Sequence, residues 1–353
     1  MGIVFGILLF SLLIFVHELG HFVAAKLSGV QVNEFSMFMG PAIFKKKKGD
    51  TLYTIRCIPI GGYCAMEGED SDSDNPRAFG KAAWWKRLII LVAGSFMNFV
   101  IGIVLVAIVL SCDKNYVSTQ LNSVEQWSTL GGQYGLQAGD RIVELNGKKI
   151  SIYEDFALDT MLLPDGAYDV VIERDGKRIE LQDLPMQRQL VKDENGNESM
   201  LYGISFKLQP TTASSVVERV LPTTFNYVKS VIVSLKMLVT GQVGLQDMSG
   251  PVGIVQIMSD TVEYSETAAL AILNMLSIGA FIAVNLAVMN LLPIPALDGG
   301  RVVGLLLITA IEGITRKKVN PKIEGYIHGV GMVLLLALMA LIMFKDIFVI
   351  FKG

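Results

Sequence analysis

Four stretches of this chain are each apolar enough and long enough to cross a lipid bilayer, and no other feature restricts its fold so strongly. They run roughly from Ile3 to Leu27, Leu88 to Ser111, Ala268 to Leu292 and Val330 to Ile350. Each approaches the ~20 residues that a helix needs to span ~30 Å of hydrocarbon. Composition agrees: of 353 residues, 52% are hydrophobic and 18% charged, and the mean hydropathy is +0.49, too apolar for a soluble chain of this length. The expected architecture is a polytopic α-helical membrane protein with four transmembrane helices. The first stretch has no basic start and no small-residue cleavage site, so it is expected to remain in the mature protein rather than act as a signal peptide. A net charge of -3 leaves no global basic surface, which excludes nucleic acid as a partner and leaves the lipid bilayer. Cys57, Cys64 and Cys112 form no paired motif and are expected as buried small apolar residues.

Charge placement sets a topology. Lys26, Lys45 to Lys48, Arg56, Arg77, Lys81, Lys86 and Arg87 follow the first span, and Arg301, Arg316, Lys317, Lys318 and Lys322 follow the third. The positive-inside rule puts both segments in the cytoplasm, and the acidic segment 113 to 220 and both termini outside. The lysine run is either a solvated face or a contact with anionic lipid, at ~1 kcal/mol per residue. After it, Thr51 to Tyr63 alternates like a strand preceded by a Gly49-Asp50 turn, which predicts a small hairpin beside the membrane. Its open edge either packs structurally or pairs with an unwound substrate by strand addition.

From about Lys114 to Leu208 the composition turns polar. Short β-rich runs at Arg141–Leu145, Tyr168–Glu173 and Arg178–Leu181 are separated by Asn146-Gly147 and Asp175-Gly176 turns. The run Gly135-Leu-Gln-Ala-Gly-Asp-Arg-Ile-Val-Glu-Leu-Asn-Gly147 resembles the signature of PDZ domains, where it joins a short helix to a strand. The resemblance implies either a peptide groove beside an edge strand or a spacer that binds nothing. Thr223 to Gln246 mixes apolar residues with Lys229 and Lys236 and is expected as an amphipathic helix on the outer membrane surface, where it anchors the linker or clamps a substrate. The expected divisions are 1–112 for two spans and the hairpin, 113–209 for the PDZ domain, 210–265 for the linker and 266–353 for the last two spans.

The chemistry sits in the first span. His17 and His21 are four apart, so on a helix both imidazoles leave one face and can bind a single Zn²⁺ at ~2.0–2.1 Å. Glu18 stands beside them as the base that takes a proton from metal-activated water. Three ionisable groups in five residues of a membrane helix need compensation, and a metal supplies it. A catalytic zinc takes three protein ligands, and Asp298 supplies the third. It lies in Asn290-Leu-Leu-Pro-Ile-Pro-Ala-Leu-Asp-Gly-Gly-Arg301, where Pro293 and Pro295 break the third helix and Gly299 and Gly300 permit turns. The alternative role for Asp298 is to cap a helix beginning near Arg301. The proposed topology brings all three ligands to the same membrane depth.

With His17-Glu18-Leu19-Gly20-His21, the Asn290 to Gly300 stretch, Gly94-Ser-Phe-Met-Asn-Phe99, the PDZ signature and Ser249-Gly-Pro-Val-Gly-Ile254, the chain resembles the site-2 protease family, in particular its bacterial regulator-of-sigma-E group. The resemblance implies a zinc intramembrane endopeptidase of the bacterial cytoplasmic membrane, with His17, His21 and Asp298 on zinc and Glu18 as the catalytic base. It implies single-pass membrane proteins as substrates, and places Asn285 and Asn290 of the third span near the substrate, as backbone or oxyanion contacts or as interhelical hydrogen bonds. One PDZ domain is expected where some members have two, acting as a filter for substrates already trimmed outside. A non-enzymatic scaffold and a transporter are the competing classes; the first would bind no zinc, and the second would show internal repeats that this chain lacks.

Overall fold

A computed structural model describes residues 2–69, 73–132, 135–192, 198–244, 250–316 and 321–352. Gln246, Ser249, Lys317 and Lys318 lie outside them, and of Lys322 only the backbone is described. Two compact units result: Met1–Leu105 with Val231–Gly353, and Val106–Ser230.

In the first unit, α1 (Gly2–Ser28) leads into β1 (Val32–Lys48) and β2 (Thr51–Met66), followed by α2 (Trp84–Cys112). Four helices of the chain are long and apolar enough to cross a bilayer among the described residues: Val4–Ser28, Trp84–Cys112, Ala268–Asn290 and Gly325–Asp346. The third stops at Asn290 rather than Leu292. Pro293 offers no N–H and disfavours helical backbone at the residue before it, so the helix tightens through Leu291 and Leu292 and ends.

The β element is larger than the expected hairpin. Phe44–Lys48 pairs with Thr51–Ile55, and Glu34–Met37 faces both Leu52–Ile55 and Gly62–Ala65. The two long strands are therefore folded over on themselves into a small, irregular sheet. Arg56 fastens it, donating to Glu34, Ser36, Tyr63 and the carbonyl of Gly40. Burial of the Glu34 carboxyl works against its charge, but hydrogen bonds from Arg56 and Thr54 prevail and hold its pKa below the usual range.

α1 is the axis of this unit. Its C-terminal half packs with Val32, Phe35, Ile90, Leu91 and Leu305 in one core. Its N-terminal half packs Leu9 and Leu13 against Met258 of α5 (Pro251–Glu263) and Met275, Ile282 and Ala283 of α6 (Ala268–Asn290). α7 (Asp298–Thr315) and α8 (Pro321–Lys352) complete it. Leu334, Leu336, Leu341 and Phe344 of α8 are exposed, and only 6% of its span is covered by protein, which suits a helix solvated by hydrocarbon and not one facing water.

The second unit carries a sheet in the order β10-β3-β4-β6-β7, with β5 paired to β4. Its strands are β3 (Asn115–Val124), β4 (Arg141–Leu145), β5 (Lys148–Lys149), β6 (Gly166–Arg174), β7 (Lys177–Met186) and β10 (Ile204–Pro210), with the separate pair β8 (Gln189–Lys192) and β9 (Glu198–Leu201). Both expected two-residue turns form, with positive φ at Asn146, Gly147, Asp175 and Gly176, as the right-handed twist of a hairpin requires. One helix, α3 (Tyr153–Leu162), closes a core of Leu121, Ile142, Leu145, Phe156, Val170 and Ile172.

The short helix expected to lead into β4 does not form among the described residues. Gly135–Asp140 is built of turns because its N–H groups are directed elsewhere: Leu136 to the carbonyl of Leu130 and Gln137 to the Asp140 carboxylate. Asp140, whose side chain is 1% exposed, is clamped by Arg174 through both carboxylate oxygens at 2.7 and 2.8 Å.

The helix expected around Thr223 to Gln246 is α4 (Ala213–Val239), which starts earlier than the sequence pattern suggested. It is fastened rather than free: Asn226 donates to Asp155 and Lys229 to Asp159 of α3. Val217, Leu221, Phe225, Ile232 and Val239 are exposed within about 80° of one face.

Removing Arg174 leaves the buried Asp140 carboxylate uncompensated. Arg174→Ala should destabilise the 106–230 unit by about 3–5 kcal/mol, seen as a lowered denaturation midpoint and earlier proteolytic cutting within that unit.

Candidate metal centre

His17 and His21 lie one turn apart on α1, and both are buried. α2 meets them with a stripe at every fourth residue: Ile90, Gly94 and Asn98. The Nδ1 of His21 is 2.8 Å from the Ile90 carbonyl oxygen, which can only accept, so Nδ1 carries the proton and Nε2 keeps its lone pair. The Asn98 amide is 3.4 Å from Nδ1 of His17. Between them Gly94 supplies space: a Cβ there would lie 2.7 Å from Cε1 of His17 and 2.8 Å from Cε1 of His21. Gly20 does the same for the backbones, since its Cβ would meet the Ala93 carbonyl.

Asp298 reaches the pair from α7. Pro293 and Pro295 separate α6 from α7, and the residue that turns the chain through the left-handed region is Ala296, at φ +83°. The expectation that Gly299 and Gly300 serve as flexible turn residues is corrected: both are helical, in the first turn of α7. Their smallness lets that turn lie against the end of α6 and the loop, because a Cβ at Gly299 would collide with the carbonyls of Leu291 and Leu292. Asp298 does not act as the helix cap; Leu297 is the N-cap and offers no side-chain bond. Instead Oδ2 of Asp298 lies 3.1 Å from Nε2 of His17 and 3.3 Å from Nε2 of His21, and the two Nε2 atoms are 3.1 Å apart.

These edges match a metal. Ligands at ~2.0–2.1 Å around one tetrahedral ion stand about 3.3–3.4 Å from each other. The buried Asp298 Oδ2 has no assigned hydrogen-bond partner, and with the His21 proton on Nδ1 two lone pairs face each other there, a grouping that a cation relieves.

Glu18 is half-buried and within electrostatic reach of His21, His17 and Asp298. Beside it runs the end of β2: a Cβ at Gly62 would lie 3.5 Å from Cγ of Glu18, and Ser11 of α1 donates to the Pro59 carbonyl at 2.7 Å. Asn290, at the end of α6, brings its amide to 3.5 Å from Nδ1 of His17. Asn285 is not brought to the site. Five residues earlier on the same helix it points about 140° away, and it forms no hydrogen bond among the described residues.

Residue chemistry alone does not mark Ile90, Gly94 and Asn98, although Gly94–Phe99 belongs to the family likeness. The four-residue spacing of a glycine and an asparagine in an apolar span was the available signal, since it repeats the spacing of the two histidines.

Helices able to cross a bilayer, with two histidines, an aspartate and a neighbouring glutamate gathered between them, define a membrane-embedded metalloprotease. The sequence matches the model of peptidase family M50 over residues 5–338. It is 36% identical over 351 residues to a Clostridium acetobutylicum protein provisionally named a zinc metalloprotease, covering 98% of this chain and 97% of the relative. It is also similar to the regulator of sigma-W protease RasP of Bacillus subtilis, 29% identical with 97% of each chain covered, and to the zinc metalloprotease RasP of Bacillus licheniformis, 27% identical with 97% of each covered. The chain belongs to peptidase family M50. It is a zinc-dependent metalloprotease and a multi-pass membrane protein.

Because Gly94 is the space in which the two imidazoles meet, Gly94→Ala should lower bound zinc and proteolysis by tenfold or more. Gly313→Ala, in open space on α7, should leave both unchanged; metal analysis and a cleavage assay on the two purified variants check the pair.

Proposed function

We propose that this chain is an intramembrane endopeptidase that cleaves single-pass membrane proteins, such as anti-sigma factors or signal-peptide remnants, within or beside their transmembrane segments in regulated intramembrane proteolysis. The observation that carries this is the convergence of His17, His21 and Asp298 beside Glu18 on helices apolar enough to span a bilayer. The relative named as a regulator of sigma-W protease supports a regulatory role.

In this reading His17, His21 and Asp298 would hold zinc. When bound, zinc lowers the pKa of a water toward ~7 and polarises a carbonyl. Glu18 takes the proton of the attacking water and returns it to the departing amine nitrogen. The Ile90 carbonyl holds His21 in the tautomer that presents Nε2. Asn98 does the same for His17 by turning its amide so that Oδ1, buried without a partner, accepts from Nδ1–H. Asn290 stands at the rim of the ligand set, where its amide can hold the substrate backbone or a developing oxyanion.

A substrate helix must unwind before its carbonyls are free for attack. The stretch of β2 at Gly61 and Gly62, beside Glu18 of α1, is where an unwound segment adds as a strand. The unit spanning 113–209 functions as an extracytoplasmic PDZ domain, supported by a groove of about 480 Å³ between α3 and the edge strand β10, walled by Tyr153, Phe156, Met161, Tyr202, Ile204 and Phe206. The exposed apolar stripe of α4 lies on the outer membrane surface. The lysine-rich segments face the cytoplasm of a bacterial cell, and the active site opens toward that side.

Glu18→Gln in reconstituted membranes should abolish cleavage of single-pass substrates while retaining about one zinc per chain; loss of zinc, or cleavage that persists, would sink this assignment. The 3.0 Å hydrogen bond from the Thr211 N–H to the Lys114 carbonyl shows that 115–210 can be excised and closed by a short link. That excision should permit cleavage of untrimmed substrates, and selectivity that survives it would disprove the filter.

A further inference from the structure

The chain has three histidines, and the third lies away from the metal centre, on α8. Ala296, two residues before Asp298, sits at φ +83°, a conformation that side chains with a Cβ rarely adopt. Its N–H donates to Nδ1 of His328 at 3.2 Å. One turn along α8, Gly331 lies against the same loop, where a Cβ would come within 2.9 Å of the Pro295 carbonyl. The loop also borders a cavity of about 310 Å³ between α7 and α8, walled by Pro293, Pro295, Val303, Leu307, Ile327 and His328. Side-chain packing therefore does not fix the loop on its cavity side, and the histidine hydrogen bond and the glycine contact bear on it directly.

We propose that His328 is a positioning residue for the metal centre: by accepting from the Ala296 N–H it holds the left-handed turn that sets where α7 begins and where the Asp298 carboxylate points. The proposal rests on the assignment of Asp298 as a zinc ligand. The same bond fixes the ring as the neutral tautomer with its proton on Nε2, since a protonated Nδ1 would face another N–H. It makes the fourth span a part of the site although that span carries no ligand among the described residues.

The test uses zinc-loaded full-length protein, a chelator in excess to follow zinc release, and kcat and KM on a reconstituted substrate. Asp298→Ala must lose zinc at once; if it keeps zinc like the wild type, the ligand assignment fails rather than this proposal. With that control met, His328→Ala should release zinc about 10- to 100-fold faster and lower kcat with KM unchanged. His328→Asn, whose Oδ1 can take the same N–H, should restore both. Ala296→Gly in the His328→Ala background should recover part of the loss, because glycine adopts positive φ without a Cβ clash. A role in packing alone would lower the unfolding temperature while zinc leaves at the wild-type rate. That result overturns the proposal, as does failure of His328→Asn to rescue. Should His328→Ala fold poorly, His328→Gln, which shifts the acceptor by one methylene, replaces it, and zinc release at the wild-type rate again overturns the proposal.

Discussion

Three electron-rich atoms, Nε2 of His17, Nε2 of His21 and Oδ2 of Asp298, are held within 3.3 Å of one another inside a bundle of apolar helices. Left to themselves such atoms repel, and burial removes the water that would separate them. The surrounding structure imposes the arrangement, and a cation would relieve it. Much of the first unit is explicable as that imposition. Gly20 lets α1 and α2 touch backbone to backbone, Gly94 leaves room for two rings, and Gly299 lets the first turn of α7 lie on the end of α6. None of the three needs an unusual backbone angle. Each is a place where a side chain would occupy the space the ligands require.

The same constraint explains the central position of α1. A helix that must present two ligands on one face, and a base beside them, has to be held in rotation, and cores at both its ends do this. The folded sheet of β1 and β2 then has two unlike edges. Lys45–Lys48 lines one, and lysines on an edge discourage pairing with another chain. The other, Gly62–Ala65, passes Glu18 at Gly62, where a Cβ would lie 3.5 Å from Cγ of the glutamate.

Much of this could be read from the chain because it is local. Four apolar runs become four membrane-length helices, the His17–His21 spacing places both rings on one face, and Asn146-Gly147 and Asp175-Gly176 become hairpin turns since each pair tolerates positive φ. Legibility fails where two segments must be known to touch. Nothing in α2 alone says that Ile90 and Asn98 are read by histidines of α1. The doubling of the β1–β2 sheet depends on pairings between residues nearly 30 apart. Asn285 and Asn290 looked equivalent by composition, but their five-residue separation puts them on different sides of α6. Gly299 and Gly300 suggested flexibility, whereas close approach is what they provide, and the positive φ falls on Ala296, which composition does not mark.

The third ligand's setting shows how a carboxylate is kept available. Asp298 is in the first turn of α7, where aligned peptide dipoles present about half a positive charge, so its ionised form is favoured without a hydrogen bond to Oδ2. An arginine three residues on, Arg301, falls on the same face and is at the spacing that ordinarily forms an ion pair with an aspartate. A carboxylate neutralised by guanidinium would be a poor ligand, because its lone pairs would already be engaged. Glu69, in the loop after β2, pairs with Arg301. The acid proposed to hold the metal and the acid that pairs with arginine are thus separate residues. That ties the sheet to the site by electrostatics as well as by proximity, and it accounts for a basic residue within one turn of an acid whose chemistry requires it to stay unpaired.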